Sequence, residues 1–269
     1  MIPCIFGYGG FFIYMEVRMT HEELKAYWKS EEACAMSGWD FSYIEGRSHS
    51  DPLPWDYRGI VLQYRKITDS LLDMGTGGGE FLLTLAHPPQ NTTVTGGYPP
   101  NAKLCRTKLS PLGITVVEAD CEHPLPFADC TFDLVINRHA SFVLPEIHRI
   151  LRPGGVFITQ QVGERNNHDL ILRLMGSYTP GYPDHRLETY LSQLEQLGME
   201  ILQAQEHFGK MRFYDAGAIA WYARIIQWEF PGFCAEKNFD GLMDCHREIQ
   251  KNGFVSGTEH RFLIAARKN

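Results

Sequence analysis

Short apolar runs alternate with amphipathic stretches along most of the chain. Leu71-Leu72-Asp73-Met74 has the pattern of a buried strand and runs straight into glycines. Glu80 to Leu85 reads as a helix stopped by His87-Pro88-Pro89. Further strands are predicted at Thr92–Thr95, Ile114–Glu118, Phe132–Asn137 and Val156–Gln161, with helices at Asn101–Leu109 and Leu144–Leu151 between them. Arg152-Pro153-Gly154-Gly155 is a stop signal for the second of these helices. Strands alternating with helices at this spacing imply a parallel sheet covered on both faces, doubly wound, with its ligand crevice at the C-terminal strand ends.

Before this region, Thr20-His21-Glu22-Glu23 has the form of a capping box and predicts a helix from Thr20 to about Met36. The turn-rich stretch that follows holds Trp39, Phe41, Tyr43, Trp55 and Tyr57, which either pack on the core or roof a ligand pocket. After the regular region, helices are predicted at Asp184–Leu197, Ala216–Gln227 and Ala235–Lys251, and strands at Glu200–His207 and Glu259–Ala266. The organisation expected is an N-terminal extension over 1–19, a helix and lid segment over 20–69, and one α/β domain over 70–269 with a helical insertion at about 208–256. Met15 and Met19 are alternative starts.

Composition changes this picture little. The 269 residues are 44% hydrophobic and 12% aromatic, ordinary for a globular protein. A net charge of −7 argues against a broad nucleic-acid surface, and no segment reads as membrane-spanning. Seven scattered cysteines with no C-x-x-C spacing are expected to be reduced thiols of a cytoplasmic protein. No metal site is expected, since the histidines share no ligand spacing. Oligomeric state is not legible.

The sharpest signal is the turn Asp73-Met74-Gly75-Thr76-Gly77-Gly78-Gly79-Glu80. Its glycines let the backbone approach a ligand closely, and the helix start offers unpaired N–H groups to an anion. Glu80 stands where a P-loop has lysine and where a dinucleotide turn needs glycine. Later elements add Glu118-Ala119-Asp120, Leu125-Pro126-Phe127 and the run Glu146 to Gly155.

Together these elements resemble the class I S-adenosylmethionine-dependent methyltransferases, in particular their small-molecule branch. The likeness is strong over Ser70 to Gln161 and loose elsewhere. The resemblance implies a Rossmann-like sheet of seven strands, mostly parallel with the last antiparallel, and S-adenosylmethionine as cofactor. It implies that Asp73 braces the turn near the cofactor's amino end. Gly75, Thr76, Gly77 and Gly79 would line its methionine portion, with Met74 a further cofactor-binding candidate. Asp120 would accept the adenine amino group beside the Cys121 backbone, and Asn137 and Arg138 would face cofactor and substrate.

One position departs from the family pattern. The acid that usually ends the second strand and binds the ribose falls on Gly96, which with Gly97 and Tyr98 is still expected to lie at the cofactor. A lost charge-assisted hydrogen bond of about 1.5–3 kcal/mol would weaken cofactor binding by one to two powers of ten.

For catalysis, His139 beside Arg138 is the best-placed general base. Glu164, Arg165 and His168, which follow the fifth strand, are further candidates to face an acceptor, and Trp55 and Tyr57 are candidates to close over the cofactor. The acidic charge and downstream aromatics favour a small or apolar acceptor. RNA or protein methylation and a weakly binding, non-catalytic protein stay open as alternatives, with a nicotinamide dehydrogenase behind both.

Overall fold

The computed structural model describes residues 19–36, 40–97, 99–179 and 181–269. The first eighteen residues, Trp39 and Tyr98 lie outside the described residues, and with them the N-terminal extension apart from Met19. Helices are α1 (His21–Glu32), α2 (Tyr57–Tyr64), α3 (Glu80–Thr84), α4 (Pro99–Leu109), α5 (Leu144–Ile150), α6 (His168–Met175), α7 (Leu187–Gln196), α8 (Ala216–Ile225) and α9 (Phe239–Asn252). Strands are β1 (Ser48–Ser50), β2 (Leu71–Met74), β3 (Thr92–Thr95), β4 (Thr115–Val117), β5 (Phe132–Arg138), β6 (Leu151–Val162), β7 (Met199–Phe213) and β8 (Val255–Lys268).

The strands are hydrogen-bonded in the order β1-β7-β8-β6-β5-β2-β3-β4. β4, β3, β2, β5 and β6 run parallel, while β8 is antiparallel to β6 and β1 to β7. This is the expected Rossmann-like sheet with one strand more, because β1 adds to the outer end of β7 through Ser48↔Phe213. The expected stop at Arg152–Gly155 is carried inside β6 as a register shift opposite Phe132/Leu134. Among the described residues no helix is long and apolar enough to cross a membrane.

The chain divides into two compact units. One comprises 53–164, 182–207 and 260–269 and holds the parallel strands. Alternation along its strands sends Leu71, Leu134, Ile136, Ile158 and Leu263 to one face, where they pack with Ile60 and Val61 of α2. Leu72, Met74, Val135, Phe157 and Ile264 point to the other face, against Leu144 and Ile147 of α5. Burial on both faces is why these strands read as continuous apolar runs.

The other unit comprises the chain up to Pro52 with 165–181 and 208–259. The span expected as a helical insertion thus groups with the N-terminal helix. Thr20 and Glu23 form the capping box at the start of α1, with Thr20 N–H to Glu23 Oε2 at 2.8 Å. Trp28 of α1 packs on Phe239, and Phe41 and Tyr43 pack on Trp221. Arg47 ties this core together, donating to Asp215 at 2.6 Å and to Glu31 at 2.9 Å.

Candidate active site

Asp73 is the third residue of β2, so it shares a face with Leu71, but it stands at the strand's end, where apolar packing gives out. It is 4% exposed. Burial pushes its carboxyl up to about 7, while the Thr76 hydroxyl and the Arg138 charge pull the other way. A buried carboxyl of this kind favours a cationic ligand group, which would restore its charged form.

The glycine turn follows at once. Gly75 has φ +66°, and a Cβ built on it would fall on the Ala140 methyl, so glycine alone fits. Thr76 N–H donates to the Thr95 carbonyl at 3.2 Å, which pins the turn to the end of β3. The Gly77 and Gly78 carbonyls are held by the Cys105 thiol at 3.0 Å and by Lys108 Nζ at 3.4 Å, both from α4. With those carbonyls tied back, the Gly77 and Gly78 N–H groups find no acceptor among the described residues. Gly79, at φ +81° and with Leu109 directly against it, starts α3.

The other predicted residues cluster around the same strand ends. Asp120 is exposed, and its carboxylate is held below the usual range by the Glu122 N–H and by His123. Cys121 is buried with its thiol 3.6 Å from Thr95 Oγ1. Met74 and Asn137 face away from Asp73, on the opposite side of the sheet. Asn137 is fully buried. Its Oδ1 accepts from Thr159 and Gln161, while its Nδ2 has no acceptor among the described residues. Gly96 donates its N–H to Val117 O, and a Cβ there would meet only Ala102 N at 4.0 Å. Gly97 lies tight against the Ala119 carbonyl and the Asp120 backbone.

Arg138 ends β5 with its guanidinium 4.5 Å from the centre of the Phe81 ring. His139 comes next, at φ +65°, with its N–H donating to Gln160 O at 2.9 Å. Packed atoms surround the imidazole, while His139 as a residue is exposed. Burial pushes it down to about 3, and the Arg261 and Arg138 charges act in the same direction. Trp55 and Tyr57 line this edge as fixed walls: Tyr57 donates to the Asn137 carbonyl at 3.0 Å and Trp55 to Gln160 at 2.8 Å. Glu164 contacts the buried His260 at 3.2 Å. Arg165 and His168 belong to the other unit, at the start of α6, where His168 Nδ1 lies 2.9 Å from the Arg165 carbonyl.

Sequence reasoning passed over Gln160 and Arg261. Thr159-Gln160-Gln161, three polar residues closing an apolar strand, is the signal that marks this end of β6.

The turn and the strand ends match a known family model, described as a methyltransferase domain, over residues 72–159. Over that stretch the chain is similar to the class I S-adenosylmethionine-dependent methyltransferases. A phthiotriol/phenolphthiotriol dimycocerosates methyltransferase of Mycobacterium leprae is 33% identical over 136 residues, which are 48% of this chain and 47% of that protein. A sterol 4-C-methyltransferase of Caenorhabditis elegans is 32% identical over 109 residues, 36% of this chain and 32% of that protein. The chain thus spans a third to a half of the length of these curated relatives. Among solved structures, a proposed methyltransferase from Bacillus halodurans C-125 shares the fold, with TM-score 0.55, 21% identity, 79% of this chain covered and 98% of that one.

The residues of the methyltransferase domain fit the family's cofactor, S-adenosylmethionine. Gly75 has no room for a Cβ, two turn N–H groups are free for a carboxylate, and the Asp73 carboxyl suits an ammonium. Gly96 has no side chain to offer a ribose, and its N–H is taken by Val117 O.

Proposed function

We propose that this chain transfers the methyl group of S-adenosylmethionine to a small, largely apolar acceptor. The observation that carries the reading is the buried Asp73 carboxyl set beside the free N–H groups of Gly77 and Gly78. Opposite charges on the two ends of an amino acid match that pair of groups. When bound, the cofactor supplies a methyl on a positive sulfur, an electrophile that needs chiefly a nucleophile held in line.

The chain's own residues supply that positioning. Asp73 holds an amino group, the turn N–H groups hold a carboxylate, and Asp120 and the Cys121 backbone receive the adenine. Tyr57, Trp55 and Phe81 wall the adjoining space with apolar surface and exclude water. Arg138 and His139 face the acceptor from the end of β5. The relatives' names point to lipid and sterol acceptors, which suits an apolar wall. Net charge of −7 and the six free cysteines among the described residues support a cytoplasmic protein without a nucleic-acid partner.

Incubation with methyl-labelled cofactor and a lipid-rich metabolite extract tests the proposal. Label is expected in the small-molecule fraction; label confined to RNA or protein would overturn it. The open space at Gly96 favours a second reading, a weakly binding protein without turnover.

A further inference from the structure

Gln160 stands between two rings. Its Oε1 accepts from Trp55 Nε1 at 2.8 Å, and its Nε2 lies 3.1 Å from Nε2 of His139. An indole nitrogen can only donate, so Trp55 dictates which end of the amide faces it. The amide then presents nothing but hydrogens to His139. Nε2 of His139 must be the acceptor, and the single proton of a neutral ring must sit on Nδ1.

We infer that the Trp55–Gln160 pair locks His139 as its Nδ1–H tautomer and so makes it a hydrogen-bond donor to an ionised oxygen of the methyl acceptor, not a general base. The inference rests on the methyltransferase reading above.

Three observations support it. The His139 backbone is tied to the same residue, through its N–H to Gln160 O at 2.9 Å, and sits at φ +65°, so the ring has little freedom to leave the amide. Nδ1 has no partner among the described residues and His139 as a residue is exposed, which leaves that N–H for a ligand. The charged groups acting on the ring are Arg138 from β5 and Arg261 from β8; both are cationic and disfavour a second proton on it.

With its Nε2 lone pair engaged and Nδ1 already protonated, His139 has no site to take up a proton. An acceptor suited to this site arrives already ionised, as an enolate or phenolate does. Its negative oxygen then meets one N–H donor, in the field of the Arg138 and Arg261 charges that act on the same ring. Gln160 and Trp55 act through His139 and are positioning residues.

Nitrogen-15 spectra of the full chain with labelled histidine test this without substrate, the His139 signals being identified by their loss in His139→Gln. The expected result is a protonated Nδ1 and an unprotonated Nε2, unchanged between about pH 5 and 8, where an ordinary histidine titrates. In Gln160→Glu the carboxylate demands an Nε2–H, so the proton should move to that nitrogen. Trp55→Phe frees the amide to turn over and should give both tautomers. Loss of the donated bond in His139→Gln should raise KM for an ionised acceptor about tenfold or more. An Nε2–H form in the native chain, an ordinary titration in that window, or a tautomer indifferent to both substitutions would overturn the inference. Calorimetry with S-adenosylhomocysteine on the same samples separates the failures. Binding with the wrong tautomer sinks the inference alone, and the right tautomer without binding sinks the methyltransferase reading.

Discussion

At Asp73 burial and charge oppose each other. Its carboxyl is pushed up to about 7 in the folded chain, against about 3.9 for an unfolded one. Between those values the folded chain keeps a proton that the unfolded chain has released, so stability falls as pH rises from about 4 to about 7 and is level above. The whole effect is on the order of 4 kcal/mol. Asp73→Asn should flatten this part of the stability profile, measured by urea unfolding at several pH values, and should cost cofactor affinity. A profile unchanged by the substitution would contradict a carboxyl held neutral by burial. Because a bound ammonium restores the charged form, cofactor binding near pH 6 should release about one proton, readable as a dependence of binding heat on buffer ionisation. Gly75 gives a second prediction at this scale. Gly75→Ala meets both a left-handed backbone and the Ala140 methyl, and should cost about 2 kcal/mol or more in urea unfolding.

Among the elements, β3 and β1 lead to different tests. Gly96 closes β3 with room for a side chain, so Gly96→Asp should tighten S-adenosylhomocysteine binding about tenfold by restoring a ribose acid. Unchanged affinity would show that the ribose lies elsewhere. In the unit that contains β1, Arg47 is the cation between Glu31 and Asp215. Arg47→Ala leaves two carboxylates facing one another and should cost about 2 kcal/mol or more, discounted for the partial exposure of the guanidinium. A loss under about 0.5 kcal/mol would mark the cluster as a surface pair. The strands at 71–74 and 92–95 were legible because both faces are buried and the apolar run is unbroken. The capping box at Thr20 was legible because it is local chemistry. Helices α2 and α6 were not: each has eight residues, too short for a clear period, and packing holds them. β1 has three residues and exists only through its pairing with β7.

For the whole molecule, the same contrast separates cofactor from acceptor. The groups proposed for the cofactor's methionine end collect in one stretch, Asp73 to Gly79, which was readable in the sequence because glycines with positive φ leave few alternatives. The acceptor side is assembled from residues distant in the chain. Trp55 and Gln160 are 105 positions apart, and Arg261 comes from β8, so neither their spacing nor their type marked them beforehand. Methyl transfer by this chain requires first that the glycine turn hold the cofactor. Calorimetric titration of S-adenosylhomocysteine into the native chain and into Gly75→Ala, each shown to be folded by circular dichroism, tests this directly. Saturable binding to one site in the native chain, lost in the variant, is the predicted result. No binding to the native chain up to about 1 mM, the weakest affinity worth about −4 kcal/mol, or equal binding by both, would contradict it.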